Sequence, residues 1–308
     1  MIACREHAGM MLRVFFLSIY VPRRLPARNP NTIRLYEYCF ARLATFLGRE
    51  PIVADLRDES ILIAFLEDYG AGRSAVSRNK FKNHLAALAG LAHKRGLIRT
   101  VPELPDLAEP RRIPESLPPA TVARLVAVCG GSPGFVCGLP SPLYWAALFL
   151  TAIATGLRAG ALFALRRRDV DLPGRSVLAT AETQKQNADQ RLRIPPIAVA
   201  AIRAIWLPDR ELLFPWNRHP TTRYHYLRKL TRAAGLPDDR RHKLQALRRT
   251  CATWTKKYGG DATAQLGHSS DAVTRASYLD PTEDRQAADV IPWELLLPPD
   301  DPPADFSI

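Results

Sequence analysis

Residues 247–278 read LRRTCATWTKKYGGDATAQLGHSSDAVTRASY, from Leu247 to Tyr278. The stretch carries the pair Arg248-Arg249 followed by Thr250, a Gly267-His268-Ser269-Ser270 turn, and Tyr278 ten positions beyond that histidine. Upstream, Thr155 to Leu165 reads TGLRAGALFAL and places Arg158 just past a glycine break. Lys185 lies between the two stretches in a polar loop. Two arginines, a lysine, a histidine and a tyrosine in this order describe a site at which a tyrosine hydroxyl attacks a phosphodiester.

Such an attack needs a nucleophile, positive charge against the two non-bridging oxygens, and a proton for the leaving oxygen. Tyr278 supplies the hydroxyl; a phenol titrates near pH ~10, so it needs a base or a strong positive field. Arg158 and Arg248 suit the non-bridging oxygens, because a guanidinium is planar, always charged and matched to phosphate. Preorganised donors of this kind contribute about 3–4 kcal/mol apiece. His268 adds a hydrogen bond, and Lys185, on a mobile hairpin tip, can protonate the leaving hydroxyl. No metal or other cofactor is needed with this much fixed charge. Singly, each residue has a plainer reading. An arginine after a helix break usually forms an ion pair, a lysine on a hairpin tip is usually solvated, and a Gly-His turn is often a cap. Their order along one chain favours the phosphoryl-transfer reading.

The composition agrees. At 308 residues the chain suits two domains, and its apolar fraction of 47% is that of a globular core. The net charge of +13 predicts a polyanionic partner, of which nucleic acid is the usual one. The five cysteines (Cys4, Cys39, Cys129, Cys137 and Cys251) form no CxxC pair, which supports neither a disulfide framework nor a zinc site and fits a reducing cytosol. The apolar run Met10 to Val21, MMLRVFFLSIYV, is too short to span a bilayer and lacks a small-residue cleavage site. It reads as a short helix packed on the first domain, with Met10 or Met11 as alternative start residues.

In chain order, Asn29-Pro30-Asn31-Thr32 starts a helix whose apolar face is Ile33, Tyr36, Phe40, Leu43 and Leu47. A second helix, capped by Asp58 or Ser60, turns Leu62, Phe65, Leu66 and Tyr69 inward and stops at Gly70-Ala71-Gly72. A third follows Ser77, with Phe81, Leu85, Leu88 and Ala92 buried and Arg78, Lys80 and Lys82 on another face, open to solvent or to a DNA backbone. Residues 100–119 are proline-rich and aperiodic, a linker or strap. Beyond it, helices are expected at Thr121–Val128 and Ser141–Thr155 (Leu143, Trp145, Leu148, Phe149 and Ile153 in the core), and again over Ala159–Leu165. Val170 to Gly174 reads as a turn, Ser176–Ala181 and Arg191–Pro195 as strands, and Pro196–Trp206 and Thr221–Ala234 as helices. The fold class is therefore mainly α with one small antiparallel β-sheet. The expected domains are an N-terminal extension 1–24, a helical DNA-binding domain 25–108, a linker 109–119, a catalytic domain 120–290 and a tail 291–308.

The second domain resembles the catalytic domain of the tyrosine recombinases, or phage-integrase family. The resemblance is carried by Ala154-Thr155-Gly156-Leu157-Arg158, Thr183-Gln184-Lys185, Leu247-Arg248-Arg249-Thr250, Leu266-Gly267-His268-Ser269-Ser270 and Tyr278. The first domain resembles, through the Asn29–Tyr36 helix start and the Ser77–Gly96 helix, that family's SAM-like core-binding domain. The resemblance implies site-specific recombination for integration or excision of a mobile element, through a 3′-phosphotyrosine on Tyr278 and a free 5′-hydroxyl. It implies double-stranded DNA as partner, a homotetramer working through a Holliday junction, accessory DNA-bending proteins, no membrane, no cofactor and a cytoplasmic location. Catalytic roles then fall to Arg158, Lys185, Gln245, Arg248, His268 and Tyr278, and DNA contacts to Arg78, Lys80, Lys82 and Arg249.

Three positions depart from the family pattern. Gln245 stands where a histidine is usual, with His242 three residues too early; Gln can donate a hydrogen bond but cannot carry charge. Ala161 replaces a supporting glutamate. His268 and Tyr278 are ten apart where nine is commoner, an offset that the loop before Tyr278 would absorb. Two other functions stay open on these grounds: a DNA-binding relative that has lost cleavage, and a type IB topoisomerase. The apolar run Val290 to Leu297 is expected to pack on its own domain or on a neighbouring protomer.

Overall fold

In a computed structural model, which describes residues 9–25, 30–110, 112–239 and 241–283, the chain forms two compact units that divide between residues 111 and 112. Asn29, the tail beyond residue 283 and the first eight residues lie outside the described residues.

The first unit is helical because its apolar residues recur at helical spacing. Helix α1 (Leu12–Phe15), a π-helical segment (Phe16–Tyr20) and α2 (Val21–Arg24) follow one another directly and bury Leu12, Phe15 and Phe16. The apolar run near the N-terminus is thus core of this unit. Its entry is tied by Leu12 N donating to Pro51 O (2.8 Å) and Val53 N donating to Met10 O (2.9 Å). Helix α3 (Pro30–Leu47) buries Tyr36, Cys39, Phe40 and Leu43. Helix α4 (Glu59–Gly70) buries Leu62, Phe65, Leu66 and Tyr69, and is capped by Asp58, whose Oδ1 accepts from Ile61 N. Helix α5 (Ala75–Lys94) begins three residues earlier than its pattern suggested, because Ser74 rather than Ser77 is the cap.

The basic face assigned to α5 needs correction. Arg78 is buried, with Nη1 donating to Pro105 O (2.7 Å). Asn79 exchanges hydrogen bonds with the Leu107 backbone and donates to Glu109. Lys82 pairs with Asp106 (2.8 Å) and is mostly covered. Residues 105–109 are therefore strapped onto α5, and of the three expected DNA-contacting residues only Lys80 stands exposed. A cation buried against a backbone carbonyl, as Arg78 is, or paired with a carboxylate, as Lys82 is, is less available to a phosphate. The periodicity could not show this, since the strap has no pattern of its own.

The second unit is built around α7 (Ser141–Thr155), whose residues are apolar on nearly every side. Tyr144, Trp145, Leu148 and Phe149 are buried, whereas Leu143, in the first turn, is 42% exposed. Helices α6 (Pro119–Ala127), α8 (Ala159–Ala164), α9 (Pro196–Ala204) and α10 (Pro220–Ala233) belong to the same unit. A short hairpin, β1 (Phe135–Val136) with β2 (Leu139–Pro140), precedes α7. The antiparallel sheet has three strands, β3 (Val170–Asp171), β4 (Ser176–Ala179) and β5 (Gln190–Arg193), in the register Val170↔Val177 and Val177↔Leu192. The stretch expected as a turn thus includes a strand, β3, too short to display alternation. Helices α11 (Leu244–Lys257), α12 (Ala262–Leu266) and α13 (Asp271–Tyr278) close the unit. No described helix is long and apolar enough to cross a membrane.

Replacing a buried, hydrogen-bonded cation leaves carbonyls unsatisfied, at about 1–3 kcal/mol. Arg78→Ala is therefore expected to lower the thermal midpoint of the first unit while leaving DNA affinity of the folded protein within a few fold. Thermal unfolding and a binding titration check this; unchanged stability with strongly weakened binding would return Arg78 to the DNA surface.

Candidate active site

Helix α7 ends at Gly156, in the left-handed region (φ 65°), because the next turn must pass close to α11 and α12. A Cβ there would meet Leu266 Cδ2 at 2.8 Å and Cys251 Sγ at 3.1 Å. This close approach brings three elements to one point, and Arg248 occupies it. Arg248 projects from α11, is 2% exposed, and donates from Nη1 to Gly156 O (2.5 Å) and from Nη2 to Leu266 O (3.0 Å). Its Nη2 is also 2.9 Å from His268 Nε2, and its Cζ lies 5.0 Å from the centre of the Tyr278 ring. The buried Nε is without a hydrogen-bond partner among the described residues.

Arg158 caps the start of α8 and is half-buried. Its Nη2 lies 3.4 Å from the same His268 Nε2, and its Nη1 donates to Gln186 Oε1 (3.4 Å). Among the described residues no carboxylate pairs with Arg158 or Arg248: their partners are carbonyls, an amide oxygen, an imidazole and a phenol. Two guanidiniums held together without a counter-anion form a receptor for one. Ala161, where a supporting glutamate was looked for, is buried in the core, and Arg158 is steadied instead by Gln186 and His268.

His268 follows Gly267, the left-handed residue (φ 61°) that terminates α12. Its Nδ1 is 2.9 Å from Thr274 Oγ1. Burial, then the charges of Arg248 and Arg158, push the imidazole down to about 4. The ring is neutral, and with guanidiniums on Nε2 its proton sits on Nδ1, facing Thr274.

Tyr278 is the last residue of α13, with its ring 4.7 Å from that of His268. Burial alone would raise the phenol. The Arg248 charge, hydrogen bonds from Gln245 and Arg248, and the Arg158 charge more than offset that, and the hydroxyl titrates below its ordinary value. The backbone is fixed as well: Thr253 Oγ1 donates to Tyr278 O (3.3 Å) and accepts from Asp280 N (3.1 Å). The long step from His268 is not absorbed in a loop beside Tyr278. Residues 271–278 are one helix, and only Ser269 and Ser270 separate it from the histidine.

Lys185 is exposed and lines a cleft of about 250 Å³ with Arg158, Gln186, Gly267, His268 and Ser269. The structure thus gathers Arg158, Lys185, Gln245, Arg248, His268 and Tyr278. It does not gather Arg249, which is buried and donates to Glu115 O (3.0 Å) and Arg241 O (2.9 Å), tying those two segments to α11. Thr250 does likewise by accepting from Leu117 N (2.8 Å). His242, the alternative to Gln245, is bound to Asp239 (2.7 Å) and has no part in the group. Sequence reasoning missed Gln186, Gln190 and Thr274, which carry no motif and acquire a role only through what folds against them.

Residues 116–285 match the family described as the phage integrase family. This chain belongs to that family. Among curated relatives, a prophage phiRv2 integrase of Mycobacterium tuberculosis (strain H37Rv) is 34% identical over 174 residues, covering 49% of this chain and 46% of the relative. A tyrosine recombinase XerC of Pseudomonas syringae is 25% identical over 178 residues, covering 54% of this chain and 37% of the relative. The chain thus spans less than half the length of the curated relatives it matches. In fold it is similar to the Tn1549 transposon integrase in complex with a circular intermediate DNA (TM-score 0.68, 16% identity, 90% of this chain and 96% of that one). It is similar also to a lambda integrase tetramer bound to a Holliday junction (TM-score 0.62, 19% identity, 84% and 77%). This member of the family holds a glutamine, Gln245, against its tyrosine.

The depressed imidazole has a definite pH signature. Its folded value of about 4 lies below the ordinary 6.5, so the neutral ring contributes stability that is complete above about 6.5 and is lost as pH falls toward 4. An NMR titration of His268 should show a midpoint near 4, rising when inorganic phosphate enters between the arginines. A midpoint near 6.5 in the anion-free protein would mean that the guanidiniums do not face the ring.

Proposed function

We propose that the protein is a site-specific DNA recombinase that cuts and rejoins strands through a covalent 3′-phosphotyrosine, for integration or excision of a mobile element. The observation that carries this reading is the couple Arg158–Arg248, without a carboxylate partner among the described residues, beside the hydroxyl of Tyr278, with His268 between them. A scissile phosphate placed against the couple takes hydrogen bonds from both guanidiniums on its non-bridging oxygens. Tyr278 Oη attacks phosphorus as the bond to the 5′-oxygen breaks, and the Lys185 ammonium gives that oxygen its proton. The phenolic proton passes to solvent water as Oη attacks; it is already weakly held, because Arg248 and Gln245 favour the ionised phenol. Gln245 works here as a donor to the nucleophile, and no residue need act as a strong base. Joining is the reverse step, with a 5′-hydroxyl of the partner strand attacking the phosphotyrosine.

A net charge of +13 supports a duplex DNA partner. The lambda integrase tetramer on a Holliday junction suggests assembly of four protomers on two duplexes. The gathered site favours an active enzyme over a DNA-binding relative that has lost cleavage.

A pool of randomised duplexes, each nicked so that cleavage is irreversible, tests the reading. The unaltered protein is expected to trap a subset as a denaturation-resistant adduct, and Tyr278→Phe to trap none. Arg248→Ala should lose about 10²–10³-fold in rate, the range for removing one preorganised donor. Gln245→His should cleave as fast or faster, and the rate should level off below the ordinary phenol value as pH rises. No adduct from any duplex sinks the proposal.

A further inference from the structure

The general acid of the reaction proposed above sits on an exposed loop, and an exposed lysine on a four-carbon stem is poorly placed to protonate one particular oxygen. The loop is nevertheless held at its base. Gln190 is the first residue of β5 and pairs with Ala179 at the last rung of the hairpin before the loop opens. Its Nε2 donates to Ala264 O (2.7 Å) and to Gln265 O (3.0 Å). Both carbonyls belong to the last turn of α12, where helix carbonyls run short of intrahelical donors; Ala264 O also accepts from Gly267 N (3.0 Å). The hairpin therefore caps a helix distant in sequence.

A second contact lies one turn along. Gly267 faces the same loop, and a Cβ on it would overlap Gln186 Nε2 and come within 2.8 Å of Gln190 Oε1. Two glutamine side chains fill the space that any other residue at 267 would claim. Gln186 also accepts from Arg158, so the residue next to Lys185 is tied to the anion receptor. Within the loop, Ala181 N donates to Asp189 Oδ1 (2.7 Å) and Asn187 N to Gln184 O (3.2 Å), which stiffens it. The turn of α12 that Gln190 caps is the one whose Leu266 O accepts from Arg248. One helix end is thus gripped by the catalytic arginine on one side and by the lysine hairpin on the other.

We propose that Gln190 is a positioning residue for leaving-group protonation: it latches the Lys185 loop to the end of α12, with Gly267 leaving room for the latch. The proposal rests on Lys185 acting as the general acid. As the P–O5′ bond breaks and the Tyr278 Oη–P bond forms, the departing oxygen takes a proton from Lys185 Nζ, and the latch sets where that Nζ stands.

Two measurements on the full chain test it. The first needs no DNA. Gln190→Ala, and Gln190→Glu, which keeps the size but removes the donor, should speed tryptic cleavage after Lys185 and amide exchange across 181–189 in otherwise folded protein. Unchanged protection overturns the latch whatever the protein's activity. The second uses a duplex selected as above in two forms, with the natural 5′-oxygen or with a bridging 5′-sulfur at the cut. A thiolate leaves without protonation, because its conjugate acid is far stronger than an alcohol. On the oxygen substrate both variants should slow adduct formation about 10-fold or more, a part of the 10²–10⁴ that a general acid supplies. On the sulfur substrate they should fall within about threefold of the unaltered protein, as Lys185→Ala should. Equal slowing on both substrates, or none on oxygen, overturns the proposal. If Lys185→Ala is not rescued by sulfur while the loop still loosens in the variants, the assignment of Lys185 fails and the latch stands only as a structural tie.

Discussion

A buried guanidinium with no carboxylate beside it among the described residues is the constraint on which the second unit depends. Arg248 is nearly inaccessible, and its hydrogen bonds reach the glycine that ends α7, the end of α12, the histidine beyond it and the tyrosine that ends α13. Burying a charge in this way is unfavourable, and burial duly lowers the affinity of Arg248 for its proton. The structure accepts the cost because carbonyl dipoles partly offset it and because an arginine keeps its charge even when depressed. A carboxylate in the same place would relieve the strain and abolish the anion site. The uncompensated charge is thus the source of both the packing geometry and the chemistry.

The same field acts on both neighbours with opposite sign. His268 is driven neutral, since a third cation beside two guanidiniums is disfavoured. Tyr278 is moved toward ionisation, since an anion there is favoured. One set of charges therefore favours a neutral imidazole and an ionised phenol side by side. Gln245 acts in the same direction as Arg248: a neutral donor beside the hydroxyl adds to the lowering of the phenol.

The legible part of the fold was the part with a period. The stripe Leu62, Phe65, Leu66 and Tyr69 is buried as its spacing required, and α7 runs over Ser141–Thr155, a segment apolar at most positions and closed by Gly156. Val170–Asp171 is a two-residue strand and had no alternation to read. Arg78 and Arg249 misled for a different reason. A cation off an apolar stripe reads as solvent-facing, yet both are covered by aperiodic segments, residues 105–109 and 115–117. Segments without a period are invisible to pattern and decisive for burial.

The sequence by itself determined the chemical inventory and its order: Arg158, Lys185, Arg248, His268 and Tyr278, on elements whose type follows from composition and spacing. Side-chain chemistry is local, and no folding step changes it. Which of the 43 lysines and arginines are free for an anion and which are bound to backbone was settled only by tertiary packing. Tertiary packing alone brought Gln186, Gln190 and Thr274 to the site. Those outcomes depend on what packs against each side chain across gaps of dozens of residues, where distance in sequence carries no information about distance in space.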